Sequence, residues 1–268
     1  MQDEDWILDS SSFNMNENVN ILGFQTSSAG VSGDVQKAWE LATSDNNGTY
    51  IACINPHSIV VASTDPDFSL SLANADLLLP DGVGIVLAAK ILGIDLNERV
   101  AGSDIFLGLS NKANENGGLK YFFLGSTEAV LDKITTRLNK EFPNVTVCGV
   151  LSPPFKSEFN ENDNQLMIDA INSAKPDVLW VGMTAPKQEK WIYQNKDKLD
   201  VPVMGAIGAV FDFYAGTVKR SPEWACKMGL EWLPRLVREP RRLFRRNFIS
   251  SPLFLLMLLK QKIRLTKG

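Results

Sequence analysis

Several side chains in this sequence have the type and spacing to do chemistry. Asp81 stands between a proline and a glycine at the end of an apolar run, Leu77-Leu78-Leu79-Pro80-Asp81-Gly82-Val83-Gly84. A carboxylate held at such a position can take a proton from an incoming group. The same Pro-Asp-Gly order on its own makes a plain turn. A second pair of carboxylates, Asp65-Pro66-Asp67, has the spacing that can hold a metal-bound diphosphate. It precedes the amphipathic run of Phe68, Leu70, Leu72 and Ala73, where an acidic residue is a good helix cap, and capping is the preferred reading. His57 is the only histidine, so no multi-histidine metal site can be built. Beside Pro56 it reads as structural, with a reserve role as a base. Cys53, Cys148 and Cys226 are odd in number, far apart and form no CxxC pair. Disulfides and structural zinc are therefore not expected, and a reducing compartment is.

Cationic groups concentrate at the C-terminal end. From Lys219 onward there are 13 Lys and Arg against 3 Asp and Glu, whereas the first 218 residues carry 14 basic and 28 acidic side chains. An acidic body with a basic tail meets an anionic surface. Trp232, Leu233, Leu236 and Val237 fall near helical spacing, with Arg235, Arg238, Arg242, Arg245 and Arg246 among and after them. Clustered arginines also suit nucleic-acid phosphates. The acidic body argues against that partner, and the stacking aromatics of an RNA-binding sheet are missing. No nucleic acid is expected.

The elements that must position these groups follow from periodicity. Short apolar runs, Tyr50–Ile54, Tyr121–Leu124, Val145–Val150, Val178–Val181 and Val203–Ile207, alternate with helix-length stretches. Continuous apolar strands separated by helices predict an α/β fold: a Rossmann-like, mostly parallel sheet with helices on both faces. Three runs end in a glycine that opens a helix: Gly125 with Ser126 and Thr127, Gly182 before Pro186, and Gly208. Ser126 or Thr127 is expected to cap the helix running toward Phe142, and Pro186 to sit in the first turn of the helix carrying Lys187 to Asn195. In open α/β sheets ligands sit at the carboxyl ends of the strands, where helix N-termini attract phosphate. Gly125, Ser126, Gly182 and Gly208 are the candidates for that rim. There is no GxGxxG and no P-loop, so nothing supports an ordinary dehydrogenase or NTPase.

The expected organisation is a polar leader over 1–18, an α/β domain over 19–229 and a basic amphipathic helical appendage over 230–268. No secretory signal is read at the N-terminus. No apolar run reaches the roughly 20 residues of a spanning helix. Phe248 to Leu259 comes nearest and is broken by Ser250, Ser251 and Pro252. It reads either as a buried core helix or, with the arginines before it, as a segment lying in a membrane interface.

Taken in chain order, Ile51–Ser58, Leu77–Gly84, Glu98–Asp104, Gly182–Trp191, Gly208–Gly216 and Lys219–Pro222 resemble the WecG/TagA/CpsF family of bacterial glycosyltransferases. The likeness spans roughly Ile21 to Arg246. It implies an enzyme that moves a hexose from a UDP-sugar to an undecaprenyl-diphosphate-linked saccharide. Cell-surface polysaccharide synthesis would be its setting. The hexose would be of the N-acetylmannosamine type, its uronic acid, or glucose. The reaction would invert the anomeric centre with no metal or other cofactor. The resemblance makes Asp81 the general base, Asn55 a group that orients sugar hydroxyls, and Arg99 a cation for diphosphate. It puts Gln188 near the nucleotide-sugar, with Lys187 beside it. Cys53 stands where better-known members carry a threonine. Asp212 either binds ribose or uracil or caps a helix. Arg235, Arg242 and Arg245 correspond to arginines that fold over the site and reach the diphosphates. The resemblance places the protein in the cytoplasm, peripheral on the inner face of the membrane, and leaves a homo-oligomer open.

Overall fold

The computed structural model describes residues 18–96, 98–218 and 250–267. Cys226, Arg235, Arg242 and Arg245 lie outside the described residues.

The described chain forms an α/β fold around a six-stranded parallel sheet in the order β4-β3-β8-β7-β5-β6. These strands are β3 (Thr49–Ile54), β4 (Leu77–Pro80), β5 (Lys120–Gly125), β6 (Thr146–Leu151), β7 (Val178–Gly182) and β8 (Val203–Ala206). Every residue of β4, β7 and β8 is buried. That explains why these runs are apolar throughout rather than alternating: helices cover both faces. On one face lie α1 (Gly30–Ala42), α5 (Gly102–Glu115), α6 (Glu128–Glu141) and α9 (Ala209–Tyr214), which share a core with Trp180, Tyr121 and Phe123. Phe106 meets Trp180 edge-on at 5.4 Å and Tyr214 at 4.9 Å, the geometry that aromatic quadrupoles favour. On the other face lie α2 (Pro56–Ala62), α3 (Pro66–Ala73), α4 (Val83–Leu92), α7 (Glu161–Ala174) and α8 (Lys187–Asn195).

Two elements have no counterpart among the expected runs. A short hairpin, β1 (Asn18–Ile21) and β2 (Phe24–Ser27), turns through Leu22 and Gly23, both at positive φ. Leu77–Pro80, expected as an apolar lead into a turn, is an edge strand paired with β3. Proline is tolerated at an edge because it has no N–H to pair. The last described helix, Ser251–Lys267, packs on α2 and α4. It buries Phe254 and Leu258, and Gln261 Oε1 accepts from Leu22 N at 3.1 Å. Burying two such side chains stabilises by about 3–6 kcal/mol before entropy. No helix among the described residues is long and apolar enough to cross a membrane.

Candidate active site

The carboxyl ends of β3, β4, β5, β7 and β8 open into one cleft of about 1230 Å³. That exceeds the 300–1,000 Å³ of an ordinary small-molecule pocket, so it has room for an extended ligand or two substrates. Cys53, Asn55, Asp81, Arg99, Gly125, Ser126, Gly182, Lys187, Gln188, Gly208 and Asp212 all line it. Segments separated by over 150 residues in the chain are thus brought to one surface by the parallel sheet.

The β3 and β4 ends are locked together. Asp81 N donates to Ile54 O at 2.8 Å, and Val100 N donates to Pro80 O at 3.0 Å. The second bond clips the segment after α4 to the end of β4 and brings Arg99 into the lining beside Asp81. Glu98 does not compete for that guanidinium: its Oε2 accepts from Val31 N at the start of α1. Gly84 lies under Pro56. A Cβ on Gly84 would stand 2.4 Å from Pro56 Cγ, so glycine is what lets the two loops close.

Asn55 has a structural task. Its Oδ1 accepts from the N–H groups of His57 and Ser58, both at 3.0 Å, and Ser58 Oγ accepts from Asn55 N at 2.7 Å. This reciprocal cap fixes the start of α2 at the cleft. Among the described residues no hydrogen bond takes up the amide nitrogen of Asn55, which leaves it to meet a ligand. His57 Nδ1 lies 2.8 Å from Ser250 Oγ, which ties α2 to the start of the C-terminal helix. Burial pushes the Cys53 thiol well above its usual range, and the nearby Asp81 and Glu189 carboxylates push the same way. Cys53 is therefore a neutral thiol.

At the centre of the rim, Gly125 pairs with Gly182, and Ser126 N donates to Gly182 O at 3.0 Å. Gly125 sits at φ +118°, and a Cβ there would stand 2.5 Å from that same carbonyl. Thr127 occupies the N-cap of α6 but its side chain caps nothing, so the first N–H groups of that helix keep no side-chain partner. Gly82, at the N-cap of α4, has no side chain to offer either. Pro186 is the N-cap of α8, one position before the expected first turn, and follows a cis peptide bond from Ala185.

Two of the expected polar ligands are partly occupied, and Asp65 is the cap it was expected to be. Lys187 Nζ donates to Lys156 O and lies 3.7 Å from the centre of the Phe159 ring; burial lowers its pKa. Asp212 Oδ1 accepts from Thr217 Oγ1 at 3.0 Å, inside the first turn of α9 rather than at its cap. Asp65 is the cap of α3, accepting from Phe68 N, and pairs with Lys190 Nζ at 2.5 Å, which holds its carboxyl below the usual range. Asp65 and Asp67 do not line the cleft. Among the described residues no group of three or more His, Cys, Asp or Glu is placed to hold a metal ion.

One group in the cleft was not singled out from the sequence. Glu189 is 3% exposed, and burial raises its pKa to about 7. In sequence it belongs to a charged run, Lys187 to Lys190, that reads as a solvated face. The available signal was spacing: Gln188 and Glu189 share a buried face with Ile192 and Asn195, three to four residues apart. The 153–159 loop, including Pro154 and Phe155, also lines the cleft and carries no motif.

A cleft at the carboxyl edge of a parallel sheet, ringed by glycine turns and uncapped helix starts, is where open α/β folds place their ligands. The profile of the Glycosyl transferase WecG/TagA/CpsF family matches residues 19–268, and the chain belongs to that family. It is a glycosyltransferase. A relative from Bacillus spizizenii is 31% identical over 81% of both chains, and one from Bacillus subtilis is 31% identical over 80% of both. A third, from Staphylococcus aureus, is 27% identical over 85% of this chain and 86% of its own. All three are named N-acetylglucosaminyldiphosphoundecaprenol N-acetyl-beta-D-mannosaminyltransferase.

Proposed function

We propose that the protein transfers an N-acetylmannosamine-type sugar from a UDP-sugar to a saccharide carried on undecaprenyl diphosphate, with inversion and without a metal ion. The observation that supports this most is the convergence of Asp81, Arg99 and Asn55 with the Gly125, Gly182 and Gly208 turns in one cleft, in a chain whose relatives bear that name. Asp81 takes the proton of the acceptor hydroxyl as its oxygen attacks the anomeric carbon. The bond to the diphosphate breaks in the same step, so one base is enough and no covalent intermediate is needed. The departing diphosphate gains charge, which the Arg99 guanidinium and the N–H groups at the start of α4 stabilise. Arg235, Arg242 and Arg245 join them by resemblance. Asn55 holds sugar hydroxyls through its amide nitrogen, and Gln188 contacts the nucleotide-sugar.

The same proposal puts the protein on an anionic membrane surface. The C-terminal helix exposes Leu253, Leu256, Leu259 and Ile263, alongside Lys260, Lys262 and Arg264. The packed neighbour α4 exposes Val83, Leu87 and Ile91, and Leu87 also lines the cleft. Apolar side chains next to basic ones favour an interfacial position. In the division proposed from sequence, 19–229 is the catalytic body and 230–268 the appendage.

The test is product analysis with a panel of UDP-sugars and a short-chain lipid-diphosphate N-acetylglucosamine acceptor, in excess EDTA. The expected product carries a β-linked N-acetylmannosamine. Transfer of glucose alone overturns the sugar assignment, and transfer restored only by manganese overturns the metal-free mechanism.

A further inference from the structure

Two buried side chains at the start of α8 each leave an oxygen without a hydrogen-bond partner. Gln188 is 5% exposed and Glu189 3%. Gln188 Nε2 donates to Glu189 Oε1 at 2.9 Å. Gln188 Oε1 and Glu189 Oε2 have no partner among the described residues. Buried polar atoms are satisfied in the great majority of cases, and an orphaned one costs about 1–3 kcal/mol. Two together, on adjacent residues that both line the cleft, mark a place where a ligand completes the bonding.

The pair also determines what kind of ligand group fits. A glutamine amide can present either its oxygen or its nitrogen, and the choice follows its neighbours. Here the nitrogen is held by Glu189 Oε1, which accepts whether or not the other carboxyl oxygen carries a proton. The amide oxygen is left facing Gly208: a Cβ on Gly208 would stand 2.7 Å from Gln188 Oε1 and 3.0 Å from Met183 O. This corner therefore gathers the Gln188 and Met183 carbonyl oxygens and a carboxyl group. The two carbonyl oxygens disfavour a phosphate and accept from a hydroxyl or an amide N–H. Lys187, adjacent in sequence, is directed elsewhere, toward Lys156 O and the Phe159 ring.

We infer that Glu189 is a positioning residue that fixes the Gln188 amide, so that the start of α8 binds a hydrogen-bond donor of the nucleotide-sugar, an N–H or hydroxyl, and not its diphosphate. The inference rests on the proposed UDP-sugar donor. The diphosphate then lies toward the uncapped start of α4, which follows β4, three strands away from β7 in the sheet. The donor group belongs either to the sugar, as an acetamido N–H or hydroxyl, or to the nucleoside, as an imide N–H or ribose hydroxyl.

The test measures binding of UDP and of UDP-N-acetylmannosamine by calorimetry to the full chain, with melting temperature as a control. Glu189→Met removes the buried carboxyl with a side chain of similar length, and a cooperative melt identifies the folded variant. It is expected to bind about tenfold more weakly, the scale of one buried hydrogen bond. Gln188→Met is expected to lose as much, and the double variant no more than either. Glu189→Gln keeps an acceptor oxygen and is expected to bind within about threefold of wild type. Weakening seen with UDP alone assigns the contact to the nucleoside, and weakening seen only with the sugar nucleotide assigns it to the sugar. Wild-type binding by a folded Glu189→Met overturns the inference. So does additivity in the double variant, or a Glu189→Gln loss equal to that of Met. A protein that binds no UDP at all, while Glu189→Met keeps its fold, contradicts the donor reading itself.

Discussion

Asn55 offers a way to separate what folds the cleft from what works in it. Its Oδ1 takes the N–H groups of His57 and Ser58, both at 3.0 Å, at the start of α2. Asn55→Ala leaves those donors to water in a partly buried loop. The expected cost is about 1–2 kcal/mol, at the upper end for a lost cap because two bonds go at once. For a chain of this size that lowers the melting temperature by about 3–6 °C. Asn55→Asp is the informative partner. Aspartate caps a helix as well as asparagine does and meets the positive end of the helix dipole. Its melting temperature should match wild type to within about 2 °C. It nevertheless replaces an amide nitrogen with a second negative oxygen in a cleft that already holds Asp81. UDP-sugar affinity should therefore fall in the stable Asp variant. Differential scanning calorimetry and titration of the donor give the two readouts. An Ala variant that melts with wild type, or an Asp variant that melts with Ala, refutes the capping account. An Asp variant with full transfer removes Asn55 from the binding of substrate.

Gly84→Ala pushes a Cβ to 2.4 Å from Pro56 Cγ, a rigid ring that cannot swing away. It should destabilise by about 1–3 kcal/mol and reduce transfer beyond that, since the displaced loop carries Asp81; denaturant melts alongside kcat check this. Phe254→Ala empties a site that is 4% exposed between the C-terminal helix and the body. It should destabilise by about 3 kcal/mol, read by urea denaturation; an unchanged midpoint shows that the helix contributes little to the fold. Glu189, raised from 4.5 to about 7 by burial, holds its proton in the folded state where the unfolded chain has lost it. Stability should therefore fall as pH rises between those values and level off above. Asp34, raised to about 6 by burial, adds to the lower part of the slope. Glu189→Gln should flatten the pH 6–7 portion; the same slope in the variant assigns it to another group.

Much of the fold was legible because burial on both faces leaves a plain mark. Val178–Val181 and Val203–Ile207 are apolar throughout, and both are central strands. The hairpin over residues 18–27 was not legible. Its turn uses Leu22 at φ 51°, a conformation that leucine does not advertise, and it is tied by Gln261 from the far end of the chain. β4 was hidden for a related reason: four residues ending in proline look like the entry to a turn, and only pairing with β3 makes them a strand. In the cleft, glycines at strand ends and the Asp81 turn could be read from sequence because they obey local rules. The Gln188–Glu189 pair could not, because its significance lies in which oxygen is left over, and that depends on packing. The capping function of Asn55 is written in Asn55-Pro56-His57-Ser58, a cap residue followed by proline and serine, the local pattern of a helix start. Asp65 followed its local pattern and is a cap.

The central claim is that Asp81 removes the acceptor proton while cations and helix N–H groups hold the diphosphate. Asp81→Asn keeps the size of the side chain and removes its basicity. Measured side by side, donor affinity by calorimetry should stay within about threefold of wild type, while kcat should fall by about 10²–10⁴. An Asp81→Asn enzyme that binds the donor and turns over at the wild-type rate contradicts the account.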